Sequence, residues 1–308
     1  MVVELFAALP DERRLAYFDL GDPDGVPVIH AHGAPSGKLE TEFFRLGDRA
    51  REAGVRLIAI DRPGVGGSDP RPGRSMLGWA DDVAAFADSL GIRRFGLFGY
   101  SIGAASTLAC LHRLADRITA VAIVSGAGPA DVPRLADGRS KDVAMVLDFA
   151  RRWPWATAQV LKFMRWGTKN PAKMIAASGK GMPSADRAIA NRPESAAPFA
   201  AFIADALRNG THGVRDDLRL VASPWGFEPE PSEVSVLVWH GAADTNVPMA
   251  AATWLADRLP NAQLTLVPEG GHISVLHERG DVILARLRDL ALADGEHSDS
   301  RADPDLGR

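Results

Sequence analysis

The chain of 308 residues has one cysteine and two tyrosines. It also lacks any run of about 18 apolar residues, the least a membrane-spanning helix requires. Each shortage excludes something. The single thiol, Cys110, cannot close a disulfide within the chain, which fits a reducing compartment or a fold that needs no staple. The opening MVVELFAALPDERR carries Glu4 inside its short apolar segment and has no basic start, so it does not read as a signal peptide. Neither sign of charge dominates, since 35 Lys and Arg against 39 Asp and Glu leave a net charge of −4. A nucleic-acid surface would need a basic excess on one face. The expectation is therefore a cytoplasmic protein with no nucleic-acid and no membrane partner. The sequence does not decide its oligomeric state.

What is present is an alternation. Apolar stretches of strand length, 26–32, 55–61, 94–99, 119–126, 234–241 and 263–269, are separated by stretches of helical period. That pattern predicts an α/β fold with a mostly parallel sheet flanked by helices. Two earlier pieces, 2–9 and 14–20, predict an antiparallel start. Ala80, Val83, Ala84, Ala87 and Leu90 recur on one helical face, and Gly91 supplies a stop. A last helix is expected over about 275–292.

Between 131 and 232 the alternation breaks. This stretch is rich in Trp and Met, its helical fragments are cut by prolines at 154, 171, 183, 193 and 198, and it is free of β-branched runs. It predicts a helical lid inserted between core strands, dividing the chain into a core of 1–130 and 233–293, a lid of 131–232 and a polar, mobile tail of 294–308. From Phe149 to Ala185 the lid has seven Lys and Arg and no acid. Two readings stand for that section, a solvated face or a guide for anionic substrates.

The chemistry centres on GYSIG, residues 99–103. A GxSxG pattern alone is weak, but here it follows the strand-like FGLF and precedes a helical run of small residues. A serine in such a strand–turn–helix sits in a strained backbone, and the flanking glycines give it clearance. Serine is a poor nucleophile unless a base takes its proton, and that base works best when a carboxylate fixes its tautomer. Two N–H donors are also needed where an oxyanion would form. Asp244 is the only acid in the loop HGAADTNVP (240–248), and its rival role is a turn or helix cap. His272 lies between strand and helix in EGGHISV (269–275), whereas His277 falls a helical turn later. The histidines form no metal-binding set. No cofactor is implied.

Taken together, HAHGAP (30–35), DRPGVGGSD (61–69), GYSIG, HGAADTNVP and EGGHISV resemble, in order, the site-forming segments of the α/β-hydrolase superfamily. The resemblance covers about residues 10–290 and points to the serine-nucleophile, lid-bearing branch. It implies Ser101 as nucleophile, Asp244 as acid and His272 as base. It further implies the backbone N–H groups of Ala34 and Ile102 as oxyanion donors, with His32 and Gly33 supporting them. Some relatives carry the acid after the preceding strand, where SGAGPAD (125–131) offers only Asp131. Ser101 excludes relatives that attack with aspartate. Ile102 and the acid-free lid section argue against a proline iminopeptidase, which usually has Trp after the serine and lid acids for an amine. The expected activity is hydrolysis of a carboxylic ester, thioester or lactone in a small, moderately hydrophobic molecule. The alternatives are a carbon–carbon bond hydrolase, an aminopeptidase, a perhydrolase side activity, or a receptor of this fold with little turnover.

Overall fold

A computed structural model describes residues 2–230 and 232–302. Its strands are β1 (Leu5–Ala8), β2 (Arg14–Gly21), β3 (Val26–Ala31), β4 (Val55–Ile60), β5 (Phe95–Tyr100), β6 (Ile118–Val124), β7 (Val236–Gly241) and β8 (Ala262–Val267). They form one sheet in the order β1-β2-β4-β3-β5-β6-β7-β8. The β1–β2 and β2–β4 pairs are antiparallel and the others parallel. Strands β4, β5 and β6 are almost entirely buried because helices cover both faces, which is why they read as continuous apolar runs.

Between β3 and β4 lie the short α1 (Glu40–Phe43) and α2 (Leu46–Glu52), and α3 (Met76–Ser89) follows β4. Ser75 caps α3 by accepting the Gly78 N–H at 3.0 Å, and Val83, Phe86 and Ala87 on its inner face are fully buried. Helix α4 (Gly103–Leu114) follows β5 directly. Six helices are inserted between β6 and β7: α5 (Lys141–Arg152), α6 (Pro154–Gly167), α7 (Pro171–Ser178), α8 (Ser184–Ala190), α9 (Ala196–Ala206) and α10 (His212–Val221). The prolines at 154 and 171 stand at the first positions of α6 and α7, where a missing N–H costs nothing. Helix α11 (Ala250–Arg258) precedes β8, and α12 (Ser274–Ala302) ends the described chain.

Helix α12 runs ten residues past the expected end at 292 and so takes in 294–302 of the expected tail. Asp294 pairs with Arg94 on the core, tying part of that extension down. The rest of the tail, 303–308, lies outside the described residues.

The strand order reverses between β3 and β5, which lie side by side and parallel. Loops leaving their carboxyl ends diverge there and open a crevice, the usual ligand position in such sheets. The loop after β3 and the turn after β5 therefore meet by topology.

Candidate active site

Ser101 occupies that turn with φ at +57°, a conformation that costs a non-glycine residue on the order of 1–3 kcal/mol. Its neighbours hold it there. The Ser101 N–H donates to Val124 O and the Ala127 N–H to Ser101 O, both at 3.0 Å. A Cβ on Gly103 would lie 2.0 Å from Ala31 O, and one on Gly99 would lie 2.4 Å from Thr107 Oγ1. Both glycines are thus required by close approach, so α4 can start hard against the end of β3.

The structure brings Ser101, His272 and Asp244 together, although 171 and 28 residues separate the successive pairs. Ser101 Oγ is 2.9 Å from His272 Nε2, and His272 Nδ1 is 2.7 Å from Asp244 Oδ2. Asp244 Oδ1 accepts the N–H groups of Asn246 and Val247 at 2.8 and 2.9 Å, which orients the carboxylate. All three side chains are buried. Burial works against an imidazolium on His272, but the charge and hydrogen bond of Asp244 outweigh it and raise its pKa above the ordinary 6.5. Asp131, the alternative acid, is exposed at the cavity rim.

His32, His240 and His277 lie outside this chain of hydrogen bonds. His32 is fully buried: its Nε2 accepts the Arg62 N–H at 3.2 Å, and its Nδ1 lies 2.8 Å from Gly33 O. Burial, reinforced by the nearby Arg62 charge, pushes its pKa well down, so it stays neutral. His240 lies behind Asp244 and donates to Val247 O at 2.8 Å, its pKa lowered by burial. His277 is half-buried on α12, edge-on to Phe43. Cys110 is buried on α4, where desolvation pushes its thiol pKa up and away from reactivity. Among the described residues, no group of three or more His, Cys, Asp or Glu is placed to hold a metal ion.

Ala34 and Ile102 line the cavity beside Ser101, on the loop after β3 and the first residue past the turn. Gly33 packs against the serine turn: a Cβ there would lie 3.2 Å from Ser101 Cβ. The loop is braced by two groups that motif reading passes over. Glu40, on α1, takes up the Gly33 N–H at 3.1 Å and the Ser36 hydroxyl, and it also meets His30 Nε2 at 2.9 Å. Arg62 donates to His32 O at 2.5 Å and Gly33 O at 2.9 Å while pairing with Asp217 of α10 at 2.9 Å.

A third unforeseen residue is Asp186 of α8, buried among the inserted helices. Its carboxylate accepts three consecutive backbone N–H groups, from His272 at 2.7 Å, Ile273 at 3.1 Å and Ser274 at 2.8 Å. It thereby caps the start of α12 from another element. Gly271 permits the approach, since a Cβ there would lie 2.4 Å from the Asp186 carboxylate. On the other side, Tyr100 and Ser125 hydroxyls donate to His272 O at 3.3 and 3.1 Å. Asp186 stands one residue past the acid-free section, and only its tertiary partner reveals what it does.

Above Ser101 and His272 lies a cavity of about 1030 Å³. Val143, Leu147, Leu161, Met164, Met182 and Phe199 of the inserted segment face it. Three tryptophans of that segment do not: Trp153, Trp155 and Trp166 are exposed on its surface. The apolar lining comes instead from aliphatic, methionine and phenylalanine side chains.

A family model described as the alpha/beta hydrolase family matches residues 28–286. The chain belongs to this family. It is 26% identical over 274 residues to a carbamate hydrolase from Caulobacter sp. (strain K31), covering 82% of this chain and 90% of that protein. It is 26% identical over 283 residues to 2-hydroxymuconate semialdehyde hydrolase from Pseudomonas putida, covering 89% and 90%. Among solved structures, esterase RhEst1 from Rhodococcus sp. ECU1013 superposes with a TM-score of 0.68 at 18% identity, covering 94% of this chain and 98% of that one. The chain is accordingly a hydrolase-type enzyme. No helix among the described residues is long and apolar enough to cross a membrane.

Proposed function

We propose that this hydrolase cleaves carboxylic esters, thioesters or lactones through an acyl-enzyme on Ser101. The observation that carries the proposal is the Asp244–His272–Ser101 chain of hydrogen bonds, ending on a serine held in a strained turn at the mouth of a largely apolar cavity. Ser101 Oγ attacks the carbonyl carbon while His272 Nε2 takes its proton. Asp244 stabilises the imidazolium and keeps the other ring nitrogen protonated. The oxyanion sits against the N–H groups of Ala34 and Ile102, at the N-terminus of α4. His272 then protonates the leaving alcohol or thiol. Water, deprotonated by His272, attacks the acyl carbon and frees Ser101.

Neither buried acid that braces the site is available to an amine-bearing peptide. Glu40 and Asp186 are engaged by protein donors, leaving neither free to bind a substrate ammonium. The largely apolar cavity lining suits a moderately hydrophobic small molecule, and the inserted helices act as its lid. Carbon–carbon bond hydrolysis is the second reading, favoured by the similarity to 2-hydroxymuconate semialdehyde hydrolase.

The test is hydrolysis of p-nitrophenyl acetate and butyrate by wild type and Ser101→Ala. We expect turnover by wild type and a fall of about 10⁴-fold or more in the variant. Equal rates for the two proteins would overturn the proposal, and tight ligand retention without turnover would indicate a receptor.

A further inference from the structure

Among the described residues that line the cavity, one cation is left without a partner. Arg139 lies in the connection between β6 and α5, outside the basic section at 149–185, and its side chain faces the cavity shared with Ser101 and His272. Its Nε is buried and has no hydrogen-bond partner, and no described carboxylate forms an ion pair with it. Burial lowers its pKa, opposed only by the more distant charge of Asp244. The half-buried guanidinium thus keeps one buried N–H donor without an acceptor, which is costly and uncommon in a folded protein.

The backbone that carries Arg139 is fixed. The Arg139 N–H donates to Ala136 O at 3.0 Å, and the Ser140 N–H donates to Thr245 O at 2.7 Å, in the loop that carries Asp244. Ser140 Oγ then caps α5 by accepting the Val143 N–H at 3.4 Å. The main chain at Arg139 is therefore anchored at the boundary of the inserted segment and the core, beside the loop that carries Asp244.

The acids lining the same cavity do not neutralise it. Glu40 is held by His30, Gly33 and Ser36, and Asp148 pairs with Arg152 at 2.8 Å. Asp131 and Asp142 are exposed at the rim. Asp244 spends one oxygen on His272 and the other on two backbone N–H groups.

We propose that Arg139 forms an anion subsite that binds a carboxylate on the substrate, so that the natural substrate is a carboxylate-bearing ester rather than a neutral one. The planar guanidinium presents a fork of donors that matches a carboxylate and would satisfy the orphaned Nε. The subsite deepens the proposed ester hydrolysis and rests on it for turnover, but its binding is measurable without turnover.

Two matched pairs of esters place the charge on either side of the scissile bond. Monomethyl adipate is compared with methyl hexanoate, and the hexanoyl ester of glycolate with ethyl hexanoate, using wild type, Arg139→Gln and Arg139→Lys. In at least one pair, the ratio of charged to neutral kcat/KM falls tenfold or more in Arg139→Gln, and Arg139→Lys retains part of it. A ratio unchanged in both pairs overturns the subsite. An equal loss on charged and neutral esters does so too, and assigns Arg139 to steadying Asp244. If wild type hydrolyses none of the four, the ester reading has failed and the subsite is judged by binding alone. Calorimetric titration of adipate into Ser101→Ala then shows saturable binding that Arg139→Gln weakens tenfold or more. No binding, or binding indifferent to Arg139, contradicts the proposal.

Discussion

At the residue scale, the site turns on how burial and one carboxylate set the protonation of His272. Desolvation disfavours the imidazolium, and the adjoining Asp244 carboxylate more than restores it. On the proposed mechanism His272 must be neutral to take the proton of Ser101. Activity is then low where the ring is protonated and rises with pH through its pKa. Because that pKa is raised, the acid limb of kcat/KM has its midpoint above pH 6.5. Asp244→Asn removes the charge that raises it. The limb moves to lower pH, and kcat falls about 10⁴-fold, the scale seen when an orienting carboxylate is lost. A pH–rate profile of both proteins checks the pair of outcomes, and a limb that stays in place would remove Asp244 from this role. His32, close in sequence to the proposed oxyanion donors, contributes no titration near neutrality, since burial and Arg62 keep it neutral.

At the scale of elements, the junction of α8 with the start of α12 decides how firmly His272 is held. Asp186 answers three N–H groups that the helix start would otherwise leave open. Asp186→Ala is expected to cost about 2–4 kcal/mol in urea unfolding, the range for removing a buried charged acceptor. Displacing the base by even 1 Å costs about 10²-fold in rate, so kcat should fall by that order under conditions where the variant is folded. A stable variant with full activity would show that α8 does not position the base.

The strands and the turn at Ser101 were legible because they are local: apolar runs of strand length, glycines bracketing a serine, and single candidate residues in short loops. Glu40 and Asp186 were not legible, because an acid in a loop or on a helix looks the same whether it is solvated or bound to a backbone distant in sequence. The outward-facing Trp153, Trp155 and Trp166 were opaque for a related reason. Their spacing gives helicity, but which face meets the core depends on how α5 to α10 dock. Arg139 escaped notice because nothing in its local sequence marks a charge that the fold leaves unpaired.

Across the whole molecule, Lys38 joins three regions. Its fully buried ammonium lies 2.6 Å from Asp61 after β4, 2.7 Å from Glu4 before β1, and 3.6 Å from Asp205 on α9. Burial opposes the charge, but Asp61 and Asp205 raise its pKa overall, so it remains protonated. Lys38→Met leaves these carboxylates without their shared cation and should cost about 3–5 kcal/mol by chemical denaturation. A change under about 1 kcal/mol would mean that packing of the inserted helices, not this cluster, ties them to the sheet. The same architecture places β3 and β5 at the point where strand order reverses, and the cavity opens above it. Fold, crevice and serine together support the central proposal, that Ser101 is the nucleophile. The most direct measurement is mass spectrometry after treatment with a fluorophosphonate, which adds to an activated serine with loss of fluoride. The account predicts one adduct, on the peptide containing Ser101, absent in Ser101→Ala and strongly slowed in His272→Ala. No adduct on folded wild type, or an adduct at another residue, would contradict it.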